Sequence, residues 1–111
     1  QALVTLNDPV YIEAAGGLAH RSLMKDGNIS EALRHAFRLA TSRFPDDQEL
    51  ATLRTYFTEQ RAHFLQKPNQ ATRLLESAKW TQASTEDLAS KAALVMAANV
   101  ILNLDEVLVR R

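Results

Sequence analysis

The sequence predicts an all-α domain, a bundle of four to five helices packed around a buried C-terminal helix. Three observations lead there. Apolar residues recur with the helical period almost throughout, and strand-like alternation is nowhere sustained. Only three Gly and three Pro punctuate 111 residues, too few for the many tight turns of a sandwich or barrel. The stretch from Ala92 to Leu104 is apolar nearly all round, as a helix enclosed by others must be.

The first helix is expected to begin at Asn7-Asp8-Pro9, with Asp8 capping open N–H groups and Pro9 at the first helical position. Tyr11/Ile12, Ala14/Ala15, Leu18/Ala19 and Leu23 supply a broad apolar face. Gly16-Gly17 in mid-helix costs about 1 kcal/mol per Gly relative to Ala, so a close contact with another helix is expected there. Asp26-Gly27-Asn28 ends the segment. In the second helix Asn28 or Ser30 is the N-cap, and Asn28 with Glu31 has capping-box spacing. Ile29, Leu33, Ala36, Phe37 and Ala40 form its stripe, and Phe44-Pro45 stops it. Asp46 and Glu49 form the next capping box, opening a long third helix with Leu50, Leu53, Phe57 and Phe64 buried. After Lys67-Pro68-Asn69, Ala71, Leu74, Leu75 and Ala78 mark a short helix ending near Trp80. Thr81 to Ser84 reads as a polar linker. Ser84 with Asp87 is expected to cap the last helix, from about Thr85 to about Asn103. Connections of two to six residues imply mostly antiparallel neighbours.

Residues 1–111 are long enough for a single helical domain with its own core and too short for two. A hydrophobic share of 46% with 23% charged residues excludes wholesale disorder. Without Cys there is no disulfide framework, no thiolate metal site and no covalent attachment of a c-type haem. Thirteen basic and thirteen acidic side chains cancel, so no bulk charge steers the chain towards nucleic acid or anionic lipid. The longest apolar stretch, Ala92 to Ala98, is too short for a membrane span. The chain opens at Gln1 with neither Met nor a basic-then-apolar leader, and is expected to be a C-terminal fragment of a larger multidomain protein.

Residues with chemical potential are scattered. His20, His35 and His63 sit one per helix, and a zinc site would have to gather them with Glu13, Glu31 or Glu59. No pair of histidines has the one-turn spacing of a metal-binding helix. No Ser lies in a Gly-x-Ser-x-Gly elbow, and Asp46-Asp47-Gln48-Glu49 is placed for capping. Gly16-Gly17 follows no strand and cradles no phosphate. Arg34 and Arg38, one turn apart with Arg43 beyond, would suit a helix that reads DNA, against which stand the zero net charge and the acids that follow. Arg43 is expected to pair with a carboxylate of the following helix or to cap the preceding carbonyls. Asn99 and Asn103 are expected to be buried and hydrogen-bonded to a neighbouring loop's backbone. No catalytic, cofactor-binding or metal-ligating residue is therefore assigned.

Leu6-Asn7-Asp8-Pro9, Ala36-Phe37-Arg38-Leu39-Ala40 with Arg43-x-Pro45 and Glu49-Leu50, and Leu102-Asn103 with Glu106 are similar to motifs of one family. The chain resembles the C-terminal helical part of a planctomycete-type domain of unknown function, found in large proteins of Planctomycetes and Verrucomicrobia, often with a cytochrome-c-like domain. The likeness runs from about Leu6 to Arg110. Where this chain has Ser42 the family usually has Gly, where it has Asp46 the family has Thr or Ser, and Val107 replaces a usual Phe. The resemblance implies an exported, periplasmic or extracellular parent, with any haem elsewhere in it and none in this fragment.

The expected function is that of a non-catalytic helical interaction or structural module, its partners being other domains of the parent chain or another protein, and not nucleic acid. The competing readings are a helical part of an enzyme whose active site lies mainly upstream, and a weak DNA-binding helical domain.

Overall fold

Among the described residues the computed structural model has five helices: α1 (Pro9–Asp26), α2 (Ile29–Thr41), α3 (Asp47–Gln66), α4 (Pro68–Ser77) and α5 (Leu88–Val109). The model describes residues 9–26, 28–80 and 87–109, with the side chains of 9–11, 26 and 105–109 excepted. No strand occurs among the described residues, and α5 touches each of the other four helices. The core is drawn from all five helices: Ile12, Leu18 and Leu23 from α1, Leu33 and Phe37 from α2, Leu53 and Phe57 from α3, Leu75 from α4, and Leu94, Val95 and Ile101 from α5. The all-α bundle around a buried last helix is thus the observed architecture.

Local sequence explains where each helix stops and starts. Asn28 is the N-cap of α2, its side-chain Oδ1 accepting the Glu31 N–H at 3.2 Å. At the other end Thr41 Oγ1 donates to the Phe37 carbonyl, and Ser42 turns into the left-handed region at φ 67°. The chain leaves α4 by a different stop. Lys79 is left-handed at φ 60°, its N–H donates to the Glu76 carbonyl and that of Trp80 to the Leu75 carbonyl. This is a Schellman motif in which Lys stands where Gly is usual, and it turns Trp80 back into the core beside Leu75.

Gly16 shows why a glycine sits inside α1. A Cβ built there would lie 2.7 Å from both the Cβ and the carbonyl oxygen of Ala78, so α1 and the end of α4 meet backbone to backbone. Gly17 has no such neighbour, only the guanidinium of Arg21 at 3.6 Å. The expected close contact therefore belongs to the first glycine alone.

Several expectations need correcting. Ala14 is exposed, because the buried face of α1 is narrower than the paired apolar residues imply. The last helix starts at Leu88 and continues past Asn103 to Val109, since nothing between Leu104 and Val109 breaks a helix. Its cap is Asp87, whose Oδ1 accepts the Ser90 N–H at 2.7 Å. The expected caps Asp8 and Ser84, the turn residue Gly27 and the linker 81–84 lie outside the described residues. The connections are also less uniform than expected. Lys67 alone separates α3 from α4, whereas five residues, 42–46, separate α2 from α3.

The two glycines should respond in opposite ways. Gly16→Ala is expected to destabilise the fold by about 1–3 kcal/mol through overpacking, and Gly17→Ala to stabilise it by up to about 1 kcal/mol through helix propensity. Ser42→Gly should stabilise by about 0.5–1 kcal/mol, because it relieves a left-handed non-glycine residue. Urea denaturation of the three variants checks all of these.

Candidate functional site

The corner between α2 and α3, residues 42–46, gathers a continuous set of polar contacts. Ser42 N–H donates to the Arg38 carbonyl at 2.9 Å, and its left-handed backbone turns the chain away from α2. Asp46 then caps α3 with extended backbone (φ −76°, ψ 175°). Its Oδ1 accepts the Glu49 N–H at 2.7 Å, while Glu49 Oε1 accepts the Asp46 N–H at 3.0 Å. Both halves of the capping box expected from the Asp46/Glu49 spacing are present.

Arg43 locks this box from the side. Its Nη1 and Nη2 donate to Glu49 Oε1 and Oε2 at 2.9 and 2.8 Å, and Nη1 also reaches the Phe44 carbonyl at 3.3 Å. The guanidinium carbon lies 4.9 Å from the centroid of the Phe37 ring. A bidentate fork fixes orientation as well as charge, so Arg43 ties the end of α2 to the start of α3. Of its two expected roles, the pairing with a carboxylate of the following helix is observed; the carbonyl it reaches is that of Phe44, which follows it, and not one of the preceding helix. The Arg43 fork, with the Asp46 N–H as second cause, holds the Glu49 carboxyl down to about 2 from its ordinary 4.5. The same hydrogen bonds push the Arg43 guanidinium up.

Two surfaces flank this corner. On one, Phe44 is 50% exposed, with the guanidinium carbons of Arg34 and Arg38 at 4.3 and 5.3 Å from its ring centroid. Arg34 also approaches Glu31 at 3.7 Å, a long and exposed ion pair. On the other, an open groove of about 440 Å³ is lined by Phe37, Leu53, Val100 and Leu104, with Asp46, Gln48, Glu49 and Thr52 as its polar wall.

The histidines are not brought together. His20 on α1 meets Trp80 edge-on at 5.4 Å between ring centroids. His63 on α3 shares a 2.8 Å hydrogen bond with Gln70 Oε1, and His35 on α2 is half-buried. Of the acids weighed with them, Glu13 pairs with Lys79 at 3.3 Å, Glu31 approaches Arg34, and Glu59 is exposed. Among the described residues no three His, Asp or Glu side chains are grouped to hold a metal ion.

Sequence reasoning missed a second polar clasp. Arg61 on α3 donates through Nε to Ser90 Oγ at 2.9 Å and through Nη2 to Asp87 Oδ2 at 3.1 Å. The Ser90 hydroxyl and backbone, followed by the charge and donors of Arg61, hold the Asp87 carboxyl below its ordinary value. The Asp-x-x-Ser spacing at Asp87 was a readable cap signal; its partner 26 residues upstream was not.

Buried polar atoms are few. Ser22 Oγ, Tyr56 Oη, Trp80 Nε1 and Asn99 Oδ1 have no hydrogen-bond partner among the described residues, and burial pushes the Tyr56 phenol up. Asn99 is buried as expected at 1% exposure, but its carbonyl oxygen holds no neighbouring loop among those residues. Asn103 is half-buried rather than buried, next in the chain to the exposed Leu104.

The capping box makes a signed pH prediction. Glu49 is held at a depressed value, so its contribution to stability is complete above its ordinary 4.5 and disappears as pH falls towards 2. Glu49 is partly solvated, which limits its worth to on the order of 1 kcal/mol. Glu49→Gln is therefore expected to be less stable than wild type at neutral pH, with the difference vanishing at the acid end, as measured by urea midpoints across that range. Arg43→Ala should likewise lower the melting temperature at neutral pH.

Among the described residues no helix is long and apolar enough to cross a membrane. No curated protein and no solved structure matches the chain. One family model does, over residues 1–57, and its description is PSD1, protein of unknown function (DUF1553). The match takes in α1, α2, the Arg43–Glu49 corner and the first half of α3, and stops short of α4, α5 and the Leu102-Asn103-Glu106 motif. It spans just over half of the 111 residues, and the chain belongs to the PSD1 family of proteins of unknown function (DUF1553).

Proposed function

We propose that the chain is a non-catalytic helical module that docks, through the α2–α3 corner and the adjoining groove, against the rest of a larger parent protein. The observation that carries this reading is the groove itself. Phe37, Leu53, Val100 and Leu104 line it, and Leu104 is 45% exposed. An apolar concavity rimmed by satisfied polar groups is the form a protein contact takes. Beside it, the strongest acid–base perturbation, that of Glu49, arises from its role in a cap and leaves the carboxylate committed to Arg43 and Asp46.

The parent in this reading is an exported protein of the planctomycete type carrying a cytochrome-c-like domain, with any haem bound outside this chain. Support for that comes from the sequence likeness at Arg43-x-Pro45 and Glu49-Leu50, which falls inside the matched family segment. An enzymatic role would require the upstream part to bring its own reacting groups to this groove.

The test uses the full-length parent. Hydrogen exchange at residues 47–53 and 100–104 should be slower in the parent than in the 111-residue chain. Leu104→Asp should abolish that difference while leaving the short chain's stability within about 0.5 kcal/mol, as for other surface substitutions. Equal exchange rates in parent and short chain would refute docking at this groove.

A further inference from the structure

We infer that the face formed by Arg34, Arg38 and Phe44 receives an acidic segment of a protein partner, a carboxylate flanked by an apolar side chain. This rests on the docking reading above and supplies the partner's chemistry at residues of the corner that do not line the groove. Three features support it.

First, the three arginines near this corner are not equivalent. Arg43 spends its fork on both oxygens of Glu49. Arg34 has only the distant Glu31, and Arg38 has no ion pair among the described residues. Two guanidinium groups with open donors therefore remain. Second, both are gathered on one ring, at 4.3 and 5.3 Å from the Phe44 centroid. Contact with the ring occupies no conventional hydrogen bond of either group, so the N–H donors stay available to a carboxylate. The two cations share one ring with a single distant carboxylate, Glu31, beside Arg34, and a second carboxylate between them lowers their repulsion further. Third, Phe44 is half exposed, so the positive pair lies against accessible apolar surface. That mixture fits a protein side chain pair better than a phosphate backbone. A nucleic-acid footprint needs a broad basic surface, and the chain has thirteen acids to thirteen bases.

The probe is a fluorescent amphipathic peptide of alternating Glu and Leu pairs, with the same peptide carrying Gln for every Glu as its control. Anisotropy titrations with the 111-residue chain should show binding of the Glu peptide, weakened by salt, and much weaker binding of the Gln peptide. Arg34→Gln and Arg38→Gln should each weaken it by roughly three- to fivefold, the scale of an exposed ion pair. Arg73→Gln, on α4, should change nothing. Circular dichroism of each variant should match that of the unsubstituted chain. No binding of the Glu peptide, equal binding of the Gln peptide, or equal loss in Arg73→Gln would overturn the proposal. So would tighter binding of a single-stranded oligonucleotide, which would assign the face to phosphate. These outcomes are separate from the exchange measurement in the parent, so docking at the groove can stand while the acidic partner falls.

Discussion

Four helices can close around a fifth only if the fifth is thin. α5 meets that constraint with Ala89, Ala92, Ala93, Ala97 and Ala98, all buried, between the larger Leu94, Val95, Met96 and Ile101. Small side chains let neighbouring backbones approach at the short end of helix–helix spacing, and the intervening large ones fill the gaps between them. The same economy of volume recurs where α1 meets the end of α4, with Gly16 against Ala78. Everything else in the bundle is arranged around these close approaches, including the two polar clasps. Arg61 with Ser90 and Asp87 fixes the start of α5 against α3, and Arg43 with Glu49 and Asp46 fixes α3 to α2.

That division of labour explains the α2–α3 corner. Its polar groups serve each other: one carboxylate takes a fork from Arg43 and a backbone N–H from Asp46 while its own backbone is capped. Satisfied groups of this kind make a rigid edge. A rigid edge beside an apolar groove is suited to being recognised, and the family match covers the edge while the groove's far wall, Val100 and Leu104, comes from α5 beyond it.

The fold was readable in the sequence because helical periodicity, caps and stops are local signals. Asp46 and Glu49 three residues apart, Pro9 at a first helical position and Pro45 after a stop each act within one turn. The left-handed Ser42 at φ 67° was not among the stops read from the sequence, which set the end of α2 at Phe44-Pro45. Long-range partners were not legible. Nothing near Arg61 announces Asp87 and Ser90, and Asn99 looks from its neighbours like a buried amide with a partner although its carbonyl oxygen has none among the described residues. The end of α5 was also misplaced, because Asn103 has the polarity of a helix stop without breaking the backbone's hydrogen bonds. The groove was invisible for the same reason: Phe37, Leu53, Val100 and Leu104 come from three helices, and only packing brings them to one surface.

The central claim is that the thinness of α5 sets the bundle. Equilibrium urea unfolding of Ala97→Leu, a fully buried position, tests it most directly. The account predicts a loss of about 1–3 kcal/mol, since the added carbons have no space among four neighbouring helices. Stability unchanged or raised by Ala97→Leu would contradict it, and would mean that α5 is enclosed loosely rather than by close helix contact.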